Sequence, residues 1–455
     1  MTRPVDRRRA GSSRGAGARG RPPPPPSARS VAVDVIRRVT DEGAYSNLTL
    51  ARTLARAGLS ERDAAFATEL VYGTLRRLIP IDHQLAPLLE RPIDTAPKGA
   101  RAALRLGAYQ LRFLRVPVHA AVSETVGVAD PRHRGFVNAV LRRLATLEPE
   151  APEGHSDLAL SLRTGLAEWA VRELRRIVSS EETERVAAAL AAQAPLTIRT
   201  NTCRTTVDEL ERELRAAGVG TERGTVYPDS LVVASGAPSA LPGFTEGRFA
   251  VQDQASSFVV AALDPREGDR VLDVCAGPGG KTGHLACAIG PEGRSVAADV
   301  SPARLELVRA NVERLGARTE LLVQDGRRPA LRGGFDRVLV DAPCSGIGSS
   351  RRRPELLWRA RKDELSSLAR LQVGVATAAA GLLRPGGRLV YSVCTFPRAE
   401  TDAACDAILR RAPGLEPVEI AGPDGPAERV RLWPHTHGCD AMFVAAFRGR
   451  ATPRG

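Results

Sequence analysis

The sequence predicts a multidomain chain of mixed class, with an all-α bundle first, a small α+β module next and a C-terminal α/β domain on a doubly wound parallel sheet. Three observations predict it. From about Ser30 to Leu147, apolar residues recur at spacings of three and four. From Leu196 onward, short β-branched runs bracket one helical stretch. From about Ala255 to Phe447, apolar strand-like runs alternate with helical stretches, the pattern of βαβ units whose sheet is covered on both faces. The expected divisions are a tail at 1–29, the bundle at 30–150, a helical linker with the small module at 151–250, and the α/β domain at 251–449.

Bulk properties narrow the function classes. A chain of 455 residues with 43% hydrophobic residues can give each of about three domains a core, which excludes disorder of the whole. The formal charge of +13 predicts a polyanionic partner, with nucleic acid favoured over membrane. Codon bias explains why Lys98, Lys281 and Lys362 are the only lysines, but not the surplus of cations over carboxylates. Seven cysteines without a Cys-x-x-Cys pair match neither a disulfide framework nor a zinc site, so a reducing cytoplasm and no metal are expected. No run of roughly 18 apolar residues occurs and the N-terminus lacks the apolar centre of a signal peptide, so neither insertion nor export is expected.

Taken in order, residues 1–29 are Arg, Gly, Ser and Pro ending in Pro22 to Pro26, a composition that predicts a disordered, largely passive tail. Helices are expected through Val31–Ile36, through Phe66–Tyr72 after a Ser60/Asp63 capping box, through Ala100–Leu111 and through Phe136–Arg143. Segments Glu69–Gly73 and Gly135–Leu141 resemble the NusB-like RNA-binding domain, and RNA binding by the bundle is what that resemblance implies. Residues 150–190 read as helical, Leu196–Thr200 and Ser230–Val233 as strands, and Val207–Ala217 as a helix capped by Thr206. This module is similar to the short domain that precedes the core of RNA cytosine methyltransferases, joined through Gly247–Asp253.

The α/β domain's strands are expected at Arg270–Val274, Ser295–Asp299, Glu320–Val323, Arg337–Asp341 and Arg388–Val393, and ligands bind such sheets at the strands' carboxyl ends. The first end carries Cys275, Ala276, Gly277, Pro278, Gly279, Gly280 and Lys281, a turn that lets backbone approach a ligand at a helix N-terminus. It lacks Gly-x-Gly-x-x-Gly and the frame of a phosphate-cradling loop, so a dinucleotide dehydrogenase fits less well. Asp299 stands where an acid takes two ribose hydroxyls, and Asp325 is placed to accept from an adenine amino group; a plain capping role is the bland alternative for each. Three such strand ends favour an adenosyl ligand without a pyrophosphate, S-adenosylmethionine. Cys344 and Cys394 each stand where a strand runs into a loop, and a thiol there can attack a bound ligand, although a single cysteine is commonly an inert core residue.

Beyond these local readings, about residues 30–449 resemble the bacterial 16S rRNA 5-methylcytosine methyltransferases called RsmB or Sun. The resemblance rests on the Gly-rich loop, Asp341-Ala342-Pro343-Cys344-Ser345-Gly346, Arg351–Trp358, Leu383–Gly387 and Tyr391-Ser392-Val393-Cys394. It implies a Rossmann-like class I methyltransferase domain, Cys394 as nucleophile, Cys344 assisting product release, and 275–281 with Asp299, Asp325 and Asp341 holding the methyl donor. It also implies 16S rRNA as partner, with a monomer expected. Gly277 stands where Ala is commoner in the family, and Val393-Cys394-Thr395 replaces Thr-Cys-Ser. The same chemistry on tRNA, and an inert RNA assembly or antitermination factor, are the alternatives; the intact cysteines oppose the second. Aromatic residues at 4% leave no base-stacking side chain identifiable from sequence.

Overall fold

The structure, a computed structural model, describes residues 25–148, 152–234 and 236–450. The expected tail lies mostly outside these residues, and its boundary at 29 is corrected: the first helix begins at Ala28. Ser27 caps it with a reciprocal Ser27/Ser30 box, so the tail's last serine already belongs to the fold.

Helices Ala28–Glu42, Ser46–Ala57, Glu61–Arg76, Leu78–Leu85, Lys98–Phe113, Val118–Val128 and Arg134–Thr146 form the N-terminal bundle. Lys98–Phe113 is its axis, with every residue from Ala100 to Gln110 buried, and its polar members are paired: Arg105 donates to Asp82 at 2.8 and 2.6 Å. As expected, Ser60 caps Glu61–Arg76 through the Asp63 amide.

Helices Asp157–Thr164, Glu168–Leu174 and Ser180–Leu190 lead into a four-stranded antiparallel sheet. Its strands β1 (Leu196–Thr200), β2 (Thr221–Arg223), β3 (Ser230–Val233) and β4 (Phe249–Val251) lie in the order β2-β3-β1-β4, with helix Val207–Ala216 capped by a Thr206/Glu209 box.

The C-terminal sheet holds β5 (Arg270–Asp273), β6 (Arg294–Asp299), β7 (Glu320–Val323), β8 (Phe335–Asp341), β9 (Leu383–Val393), β10 (Leu415–Val418), β13 (Arg429–Leu432) and β14 (Met442–Gly449); a hairpin of β11 (Ile420–Gly422) and β12 (Gly425–Ala427) stands apart. Strands β7, β6, β5, β8 and β9 are parallel neighbours. A wholly parallel sheet is corrected to a mixed one, because β14 runs antiparallel to β9, β10 and β13. The physical reason is the connection: β14 returns from β13 through the short turn at Pro434–His437 rather than over a crossover helix, so it lies against β9 in the opposite direction. The chain leaves β5 toward β6 on one side and reaches β8 on the other, opening a crevice at the carboxyl ends of β5 and β8.

The segment after β8 also fastens the three parts together. Arg352 bridges Asp253 at 2.6 Å and Asp440 at 3.0 Å, clamping the joint of the small module to the end of the chain's last loop. Buried Glu355 accepts from Ser46 N at 3.1 Å and Ser46 Oγ at 2.6 Å. Trp358 Nε1 donates to Leu75 O at 2.9 Å, and the Arg359 guanidinium donates to the carbonyls of Val39, Gly43 and Ala44.

Candidate active site

At the end of β5 the chain turns through Val274–Gly279 into helix Gly280–Ala288. Gly279 takes φ +102°, and a Cβ there would lie 2.8 Å from Val308 Cα, so only glycine closes the turn against helix Pro302–Arg314. Gly277 N donates to Asp299 Oδ2 at 3.1 Å, tying the loop to the end of β6. An Ala at 277 would place its Cβ 2.6 Å from Arg304 Cβ and 2.8 Å from Asp299 Oδ2, which explains why this chain has Gly there. Asp299 is buried and its other oxygen accepts from Ser301 N at 2.9 Å. Asp325, beyond β7, is gripped by the Arg327 side chain and amide, which hold its carboxyl down at about 2.

These residues fit an adenosyl donor. Asp273, which ends the strand leading into the glycine turn, is buried with Oδ2 accepting from Thr282 at 2.7 Å, and among the described residues its Oδ1 has no hydrogen-bond partner. Burial pushes its carboxyl up to about 7. Asp273, Asp299 and Asp341 thus stand at the ends of β5, β6 and β8 around the turn Cys275–Gly280, which Asp299 holds through Gly277 N, while Asp325 after β7 is tied to Arg327. Cys275 itself is no nucleophile: burial, reinforced by Asp273, Asp341 and Asp299, drives its thiol far up.

Next to the cradle, Lys281 Nζ donates to Asp341 Oδ2 at 2.6 Å, and Ser392 Oγ donates to Asp341 Oδ1 at 2.8 Å. Burial works against the ammonium, but the Asp341 charge and hydrogen bond outweigh it and hold Lys281 protonated. Asp341 is opposite Ser392 in the β8–β9 register, so the loops that follow the two strands emerge side by side. As a result Cys344 Sγ and Cys394 Sγ, 50 residues apart in sequence, lie 3.5 Å apart. The pair is polarised. The hydrogen bond from Cys344 lowers Cys394 against the opposing cost of burial, aided by Arg353 and Lys281. The same hydrogen bond, then burial and the Glu400 and Asp341 charges, raise Cys344 well above the ordinary thiol range. Of the two thiols, Cys394 is thus the more readily deprotonated.

Sequence reasoning missed Glu400, which lies in a short turn after Cys394. It is fully buried, accepting from Ser345 N at 2.9 Å, Ser345 Oγ at 2.6 Å and Gln372 Nε2 at 2.9 Å. Thr395 Oγ1 meets Ser345 Oγ at 2.7 Å, and Tyr391 Oη donates to the Glu400 carbonyl at 2.7 Å. One carboxylate thus holds both cysteine loops. The only sequence signal was an acid six residues beyond a strand-end cysteine, too common to single out. Val393, where the family more often has Thr, is wholly buried in the sheet, while Thr395 supplies a hydroxyl to this network.

A mixed sheet whose parallel strands reverse order between β5 and β8, with a glycine cradle and acids at their carboxyl ends, is the architecture of the S-adenosylmethionine-dependent methyltransferases. Comparison with known proteins agrees and is more specific. Family descriptions match in three places: 16S rRNA methyltransferase RsmB/F over residues 260–448, the NusB family over 26–146, and the RsmF/B-like ferredoxin-like domain over 166–239. The ribosomal RNA small subunit methyltransferase B of an Enterobacter species is 34% identical, the match covering 92% of this chain and 97% of that protein. A Mycobacterium tuberculosis protein, named as a methyltransferase without a substrate, is 41% identical over 96% of this chain and 99% of its own. The crystal structure of PH0851 superposes with a TM-score of 0.83 at 25% identity, covering 92% of this chain and 98% of that one. The chain belongs to the RsmB/F family of methyltransferases, with S-adenosylmethionine as methyl donor.

Proposed function

We propose that the protein methylates carbon 5 of a cytosine in 16S rRNA through a covalent adduct on Cys394. The observation that carries this reading is the polarised sulfur pair, 3.5 Å apart at the mouth of the donor cradle. Carbon 5 of cytosine is too weak a nucleophile to accept a methyl group unaided. Addition of the Cys394 thiolate to carbon 6 breaks the 5,6 double bond and makes carbon 5 enamine-like. S-adenosylmethionine would supply an electrophilic methyl group there, and Cys275, Ala276, Gly277, Pro278, Gly279, Gly280, Lys281, Asp299, Asp325 and Asp341 would hold it.

After transfer, carbon 5 carries both methyl and proton; the proton leaves to a base, the carbon 6–sulfur bond breaks, and the electron pair returns to Cys394. Cys344 then restabilises the departing thiolate by donating to it again, which is its role in product release. Lys281 and Asp341 border the same space, where Asp341, already accepting from Lys281 and Ser392, has lone pairs left to accept from the cytosine amino edge. A base engaged this way is unpaired or flipped out.

The choice of 16S rRNA over tRNA is supported by the family description and by the N-terminal NusB-like bundle that precedes the core. Bisulfite mapping of RNA from a strain deleted for this gene tests it. Loss of one 5-methylcytosine from 16S rRNA is expected, and loss confined to tRNA would overturn the substrate.

A further inference from the structure

A half-buried arginine that borders the Cys344 loop meets an exposed tyrosine from another domain. Arg353 stands seven residues past Ser345's neighbour Gly346, and its Nη2 is 3.4 Å from where a Cβ on Gly346 would lie, so it borders the Cys344 loop. Its charge is felt at Cys394. Among the described residues it makes no ion pair; its side chain donates only to Ser349 Oγ, at 2.9 Å. Its guanidinium carbon sits 5.9 Å from the ring centroid of Tyr45, which belongs to the bundle.

Tyr45 is 48% exposed and the nearby Leu48 is 51% exposed, so the two present apolar surface to solvent. The ring is held in place by its neighbours although about half of the residue stays exposed. The guanidinium carbon of Arg359, a residue committed to three bundle carbonyls, also lies 5.9 Å from the ring centroid, and Glu355 pins the next residue, Ser46, by two hydrogen bonds. A rigid, exposed aromatic ring beside an unpaired cation is what single-stranded nucleic acid binds: a base stacks on the ring and the phosphate meets the guanidinium. Preorganisation means little ordering is lost on binding.

We propose that Tyr45 and Arg353 form a two-domain seat for the nucleotide flanking the target base, Tyr45 stacking on that base and Arg353 holding its phosphate. The seat rests on the reading of the site as an RNA cytosine methyltransferase. It makes the bundle part of the active-site wall as well as an RNA-holding domain.

The test uses the full chain with a short fluorescent single-stranded RNA and, separately, with labelled methyl donor and 16S rRNA. Tyr45→Ala should weaken RNA binding and raise the RNA KM by about tenfold, leaving donor affinity and thermal midpoint unchanged, whereas Tyr45→Trp should restore both. Arg353→Gln should lower the slope of log affinity against log salt by about 0.7, the loss of one phosphate contact. Wild-type RNA affinity and KM in Tyr45→Ala would overturn the seat while leaving cytosine methylation standing. If the Tyr45 effect on RNA binding is present but the label sits elsewhere than cytosine carbon 5, the seat stands and the reaction reading falls.

Discussion

Removing Glu400 tests whether one buried carboxylate aligns the two cysteines. In Glu400→Ala, Ser345 Oγ keeps Thr395 at 2.7 Å and Gln372 Nε2 keeps the Pro343 carbonyl at 3.0 Å, but the Ser345 N–H is left without its acceptor. One orphaned amide costs about 1–3 kcal/mol, and the truncated side chain adds a small cavity. Against this, burial already raises the Glu400 carboxyl, so removing the charge relieves part of its desolvation penalty. A net loss near 2 kcal/mol leaves the domain folded. Catalysis suffers more, because the Cys344 loop is no longer tied to the loop of Cys394, and a misplacement of about 1 Å at a reacting pair costs on the order of 100-fold. Glu400→Gln keeps an oxygen for Ser345 N and should retain most stability while removing the charge that helps keep Cys344 protonated. Its rate should therefore fall at lower pH on the alkaline limb than in the wild type. Urea denaturation with single-turnover methylation across pH reads both effects. Wild-type turnover in Glu400→Ala would refute the argument.

The remaining predictions address the other parts of the site. Cys394→Ala should be inactive and form no protein–RNA adduct, whereas Cys344→Ala should attack, stall and accumulate a slow band on denaturing gels; the opposite pattern would reassign the nucleophile. Asp299→Ala, which also unties Gly277 N and Ser301 N, should weaken donor binding by about 10- to 100-fold in calorimetry with RNA affinity intact; equal loss of both would count against the ribose role. Asp273, raised to about 7 by burial, binds more protons folded than unfolded between about pH 4 and 7, so its contribution to stability falls as pH rises through that window. Asp273→Asn should accordingly gain on the wild type between pH 5 and pH 8, by about 3 kcal/mol, in denaturant melts; a constant difference would show that the carboxyl is not shifted.

What the sequence determined by itself was local. β-branched runs such as Arg270–Asp273 and Arg337–Asp341 are buried on both faces and read as strands from composition alone, and the glycine turn after β5 is legible because its backbone demands it. The resemblance to RsmB and Sun singled out Cys344 and Cys394 by motif. Direction of pairing was not legible, since an apolar run such as Met442–Phe447 reads the same whether it lies parallel or antiparallel to its neighbour. Nor was the polarity of the two thiols: the β8–β9 register brings the two cysteine loops side by side, where the Arg353 and Lys281 charges lower Cys394 and the Glu400 charge raises Cys344. Glu400, Arg353 and Tyr45 carry no distinguishing local pattern. Their importance depends on which groups lie within a few ångströms across distant segments, and only packing of the sheet, the loops and the bundle decides that.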